Sequence, residues 1–387
     1  MHFSSVAESL ASSKNPLYQL REELDSTGSA VIDLVRGNVN EHGMVFPPES
    51  LNAILRDASD AARIYRPDSF GQLPAREAVA AYYKNQIPAQ HIVMTPGTSV
   101  SYWYCFKLLA EAGDEILTPQ PSYPLFDYIA KLCGIEIRNY RLREDRGWSI
   151  DLNHLEDQIS TRTRAIVLIS PHNPTGMVAG ASELQGLADI AARHQLPIIS
   201  DEVFSEFTFG MDSFPRPAST NAPLVFTLNG FSKMFALPGI KIGWIGLTGD
   251  PGLVKKSLAA LELISDTFLP VGEIAQFGVP QIFEQGQIFL EGYRKWIRDC
   301  RAAAVGALKG CTFVEPRGGF YITLAIRQDE EETARELLRK HRVLVHPGYF
   351  YDIRPDHLVM TFIHEPGVVG EAFGRIREVT GTTGENR

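Results

Sequence analysis

The chain has 387 residues, 44% apolar and 21% charged, which is the composition of an ordinary globular protein long enough for two domains. Its 37 basic and 46 acidic residues give a net charge of −9, and with no Lys/Arg run this excludes a nucleic-acid surface. No apolar stretch reaches the length of a membrane span, residues 1–5 lack the features of a signal peptide, and Cys105, Cys133, Cys300 and Cys311 lack CxxC or Cys/His ligand spacing, so we expect a cytoplasmic protein with reduced core thiols and no metal.

In chain order, short apolar runs at 91–95, 115–118, 135–140, 165–170, 197–200, 224–228 and 242–247 predict seven strands. Several lack alternation, as strands covered on both faces should. Periodic segments at 99–111, 124–132, 181–194 and 251–261 predict helices between them, so the fold class is α/β with a mostly parallel sheet between helices. After about residue 286 a long charged helix, 287–308, leads through Pro316-Arg317-Gly318-Gly319-Phe320-Tyr321 into a smaller mixed segment. The charged helix 330–340 reads as solvated, and the tail after Thr380 as frayed.

Ligands of open α/β sheets bind outside the carboxyl ends of the strands, and four predicted strands here end in residues suited to that. The first runs into Pro96-Gly97-Thr98-Ser99 and a helix, whose free N–H groups can seat a phosphate; an ordinary capped helix start is the competing reading. The fourth ends in Pro171-His172-Asn173-Pro174-Thr175-Gly176, which fixes the Asn173 amide, although a plain Asn-Pro turn would look the same. The fifth ends in Asp201-Glu202, and a buried aspartate needs a partner: a protonated pyridine nitrogen or a structural arginine. The sixth leads to Gly230-Phe231-Ser232-Lys233, an amine where a buried strand ends, suited to holding pyridoxal phosphate (PLP) as a Schiff base. No GxGxxG or GxxxxGK[ST] is present, so nucleotide binding lacks its signature.

These residues resemble the class I/II aminotransferases of PLP fold type I, through Tyr65, Gly71, Ala75-Arg76, Gly113-Asp114-Glu115, Pro121-Ser122-Tyr123, Asn173-Pro174-Thr175-Gly176, Asp201-Glu202-Val203, Ser232-Lys233 and Pro347-Gly348. The resemblance implies a large domain with a seven-stranded sheet over residues 46–286, a small α+β C-terminal domain over 287–387, and an N-terminal segment, 1–45, joining the small domain. It implies a homodimer that exchanges an amino group between an L-amino acid and a 2-oxo acid. Lys233 would carry PLP and shuttle the proton, Asp201 would face the pyridine nitrogen, Asn173 the ring hydroxyl, and Tyr123 the ring face. Gly97, Thr98, Ser99, Ser232 and Lys241 would hold the phosphate, Tyr65 would reach in from a second subunit, and Gly37 would lie near the substrate carboxylate.

The chain departs from the family pattern at four places. Phe204 stands where a tyrosine usually follows Asp-Glu-Val, Gly230 where a serine usually stands three residues before the lysine, and Lys241 where an arginine usually binds phosphate. Val359 stands where the family has the arginine that clamps the substrate α-carboxylate. Arg317, Arg354, Arg36 and His346 are candidate replacements, Arg317 foremost because it precedes the Gly-Gly-Phe-Tyr turn, and its removal is then expected to lower kcat/KM sharply. Loss of the usual arginine also keeps open a PLP enzyme of another type, an elimination, replacement, decarboxylation or cyclisation, and a degenerate, non-catalytic relative.

Overall fold

In the computed structural model, which describes residues 2–9 and 15–381, an eight-stranded sheet forms the centre of the larger body. Its order is Ile92–Thr95, Gly243–Gly249, Leu224–Gly230, Ile198–Asp201, Thr163–Ile169, Glu115–Gln120, Glu136–Arg143 and Ser149–Ile150. The middle strands pair in parallel, while Gly243–Gly249 runs antiparallel to both neighbours. The seven expected strands are all present. The eighth, Ser149–Ile150, is two residues long and caps the edge through Leu142 and Arg143; so short a run carries no periodicity to read.

Ile92–Thr95, Ile198–Asp201 and Leu224–Gly230 are buried throughout, which explains their unbroken apolar runs. Helices Thr98–Leu109, Leu125–Cys133, Ala181–His194 and Pro251–Asp266 cover the faces. The start of Ala181–His194 is fixed by the Glu183 carboxylate, which accepts from the Gly180 N–H at 2.8 Å.

A second, four-stranded sheet has the order Thr312–Phe313, Tyr321–Ala325, His357–Thr361 and His346–Pro347, all antiparallel. One face packs on helices Gln287–Ala307, Glu330–His341 and Pro366–Thr380 through Ile322, Leu324, Leu358, Met360, Leu337 and Ile376. Ile32–Asp33 pairs in parallel with Val343–Leu344, and helix Pro16–Ser26 packs on Glu330–His341.

The charged helix is not wholly solvated. Glu330 is buried, because its two carboxylate oxygens accept the N–H groups of Tyr349 and His357 at 3.1 and 3.0 Å. Cys105, Cys133 and Cys300 are buried free thiols, and Cys311 is half-buried. Of the tail expected to fray, residues 382–387 lie outside the described residues. Among the described residues no helix is long and apolar enough to cross a membrane, and no His/Cys/Asp/Glu group is placed to hold a metal.

Candidate active site

Parallel pairing of Thr163–Ile169, Ile198–Asp201 and Leu224–Gly230 brings three of the candidate strand ends side by side, with Ile169 opposite Asp201 and Asp201 opposite Leu228. The antiparallel neighbour sets Thr95 opposite Gly243 and Gly243 opposite Gly230, which adds the fourth.

Asp201 is buried and, among the described residues, pairs with no cation. The Val203 N–H donates to Oδ1 at 2.9 Å and the Tyr102 hydroxyl to Oδ2 at 2.8 Å. Burial nevertheless raises its pKa from 3.8 to about 6, against the lowering effect of those two bonds. The structural arginine considered above exists, but Arg216 pairs with the neighbouring Glu202. Tyr102, one helical turn after Thr98, was not singled out for this role from sequence; the i, i+4 spacing that places both on one helix face was the available signal.

Lys233 keeps partial exposure to the cleft, but the packing around its amine pushes its pKa down to about 8. Nζ donates to the Gly37 carbonyl at 2.8 Å. A Cβ on Gly37 would lie 3.5 Å from Nζ and 3.0 Å from the Tyr321 hydroxyl, so the N-terminal segment lies directly on the amine. The Phe204 ring centre is 5.9 Å from Nζ. Asn173 is buried beside the Tyr321 hydroxyl, with its Oδ1 lacking a hydrogen-bond partner among the described residues.

Helix Thr98–Leu109 starts at Gly97, whose φ of 126° is left-handed, and its first N–H groups have no partner within the helix. Below it three backbones meet. A Cβ on Gly243 would lie 2.8 Å from Gly97 Cα, and one on Gly230 would lie 2.7 Å from the Ile242 carbonyl oxygen and 2.9 Å from Gly243 Cα. The absent serine at Gly230 therefore has a steric cause. Thr98 and Ser232 are half-buried, while Ser99 and Lys241 are exposed.

The structure brings Gly37, Asn173, Asp201 and Lys233 together, with Tyr123 near enough to Asp201 to feel its charge. Gly97 joins them through Gly243. Two predicted residues lie apart. Tyr65 is 70% exposed, on a cleft it shares with Pro67, Gly71, Met94 and Ile274. Arg317 is exposed: its backbone bonds Gly176 and Phe209, and its guanidinium lies in solvent. Val359 is buried in the small sheet, opposite Thr323 and His346.

Residues 30–376 match the family model described as aminotransferase class I and II. Tyrosine aminotransferase of Mus musculus is 30% identical over 315 residues, covering 77% of this chain and 68% of that protein. Alanine aminotransferase of Mycobacterium tuberculosis is 28% identical, covering 89% and 84%. Among solved structures, an aminotransferase from Escherichia coli superposes with a TM-score of 0.86 at 26% identity over the full length of both chains. The alanine aminotransferase of Pyrococcus furiosus gives 0.88 at 24% identity, covering 98% and 99%.

Proposed function

Because the chain belongs to the class I and II aminotransferase family, we propose that it moves an amino group between an amino acid and a 2-oxo acid with PLP held on Lys233. The observation that carries this reading is a pair of uncompensated groups. Among the described residues Asp201 is a buried carboxylate without a cation and Lys233 an enclosed amine without an anion; Asp201 ends one strand and Lys233 follows its neighbour. A pyridinium with an aldehyde on its far side answers both at once.

When bound, PLP supplies the aldehyde that takes up the amino group and a ring that withdraws electrons from the reacting carbon. Asp201 would keep the ring nitrogen protonated, with Tyr102 and Val203 orienting the carboxylate. Asn173 would face the ring hydroxyl and Tyr123 the ring plane. Gly97, Thr98, Ser99, Ser232 and Lys241 would hold the phosphate at the helix start, where the crowded glycine floor admits no side chain. Lys233, neutral at modest cost because its pKa is about 8, would take the proton from the substrate carbon and return it. The Gly37 carbonyl would hold the amine in place meanwhile.

A homodimer is part of this proposal. Ile64, Tyr65, Leu263, Phe268 and Ile274 expose 45–72% of their surface around the Tyr65 cleft, an apolar area suited to a second copy. Tyr65 would then reach the partner's phosphate.

The test is a panel of amino acids added to the PLP-loaded protein, with absorbance and product mass read together. Stoichiometric 2-oxo acid plus pyridoxamine phosphate is the expected result. Release of ammonia or CO2, or a cyclised product, would replace transamination with another reaction of the same site.

A further inference from the structure

Beside the Lys233–Gly37 contact stands one face of the small sheet. Tyr321 pairs with Thr361, Thr323 with Val359, and His346 with Val359 from the other side. Directly opposed residues share a face, so these five side chains form one patch. The patch is tied to the site at two points. The Tyr321 hydroxyl lies 3.0 Å from where Gly37 would carry a Cβ, and the Thr361 N–H donates to the Leu34 carbonyl at 2.6 Å.

Every group on this wall is uncharged. His346 is hydrogen-bonded to the Tyr18 hydroxyl through Nε2 (2.7 Å) and to the Tyr351 hydroxyl through Nδ1 (3.3 Å), and lies flat on the Phe350 ring at 4.3 Å. Burial pulls its pKa down to about 4; Asp33, the charged group that faces it, only partly opposes this. Burial likewise keeps the phenols of Tyr18, Tyr123, Tyr321 and Tyr351 protonated.

The Thr323 and Thr361 hydroxyls are buried, with residue exposures of 2% and 1%, and neither has a hydrogen-bond partner. Buried hydroxyls without partners are rare in folded proteins, and these two, diagonal to each other on one sheet face, are left for a ligand to satisfy. None of the candidate arginines lies on the wall itself, although Arg36 is near enough to Tyr18 to act on its hydroxyl. Arg36 is 66% exposed and paired with Asp33 and Glu41, Arg354 is 70% exposed and paired with Glu144, and Arg317 lies in solvent. A carboxylate set against this wall would lose its water and meet no cation among the wall's own five residues; once Lys233 is bound to PLP, its amine is not available as the counter-charge either.

We propose that this wall reads the group next to the reacting carbon, and that in one of the two exchange partners this group is an uncharged hydrogen-bonding one, a carboxamide or hydroxymethyl in place of the α-carboxylate. The proposal rests on amino transfer at Lys233. Neutral donors and acceptors satisfy the two free hydroxyls without burying a charge, and the phenol row supplies further bonds of either sense.

The test compares alanine, leucine and phenylalanine, each as the acid, the amide and the amino alcohol, in single-turnover absorbance assays on the PLP-loaded protein. Dissociation constants for 2-methylalanine and its amide, which have no proton to lose at the reacting carbon, give a readout independent of turnover. The neutral member is expected to react at least tenfold faster than the acid in at least one triplet, and 2-methylalaninamide to bind more tightly than the acid. Preference for the acid in all three triplets and in binding would overturn the proposal. So would acid rates that climb as pH falls below 6, because an imidazolium at His346 would then be the counter-charge. If no compound alters the absorbance, it is the underlying reading of Lys233 that fails. Val359→Arg, with bound-PLP absorbance as the check on folding, should reverse the order in favour of the acid by at least tenfold; an unchanged preference would show that the wall does not read this group.

Discussion

Replacing Asp201 by asparagine should move two measurable quantities in opposite directions. In the PLP-free protein, burial raises the Asp201 pKa from 3.8 to about 6. At 1.36 kcal/mol per pH unit, a charged Asp201 then costs the fold about 3 kcal/mol at neutral pH. The sign follows from proton binding. The folded state holds this proton more tightly than the unfolded chain, so the group's favourable contribution is complete below pH 3.8 and is lost as pH rises to about 6. Asp201→Asn removes the charge but keeps an oxygen for the Tyr102 hydroxyl or the Val203 N–H. The PLP-free variant should therefore be more stable than the parent at pH 7.5, by up to about 3 kcal/mol in urea unfolding, with the gain shrinking below pH 6. PLP should bind about 100-fold more weakly, since one member of a buried charge pair is gone. A variant no more stable than the parent at pH 7.5, with unchanged PLP affinity, would refute the assignment of Asp201 to a cation that arrives with the ligand.

Three further substitutions have distinct outcomes. Gly230→Ser should lower the melting temperature and weaken PLP binding, because its Cβ would meet the Ile242 carbonyl at 2.7 Å, an overpacking cost of about 1–3 kcal/mol; tighter PLP binding at unchanged stability would contradict this. Phe204→Tyr should lower the titration midpoint of the PLP–lysine absorbance band by about one pH unit, since Phe204 lies beside the amine and a hydroxyl there can donate to the ring oxygen; a midpoint that rises would count against it. Arg317→Ala should leave kcat/KM within about twofold because the guanidinium is in solvent, contrary to the sequence-based expectation; a tenfold loss would restore Arg317 as a substrate anchor.

Strand ends were legible in the sequence because fully buried strands read as unbroken apolar runs, and the turns after them concentrate Gly, Pro and polar residues. That pattern located Asp201, Asn173 and Lys233 from their neighbours in the chain. Contacts between distant segments were not legible. The Tyr102–Asp201 bond spans 99 residues, and the Lys233–Gly37 bond spans 196. Gly230 read as a missing hydroxyl until the approach of residues 242–243 showed that no side chain fits there. Val359 read only as an absent arginine. The register that sets it between Thr323 and His346 is fixed by three short strands, and no periodicity in residues 312–361 specifies it.

The most direct test of the account starts from PLP-free protein loaded with PLP, reduced with borohydride, digested and analysed by mass spectrometry. A phosphopyridoxyl group on the peptide containing Lys233 is expected, with the rate of capture rising as pH passes about 8, where the amine loses its proton. A label on Lys241 or any other lysine, or none at all, would contradict the assignment of Lys233.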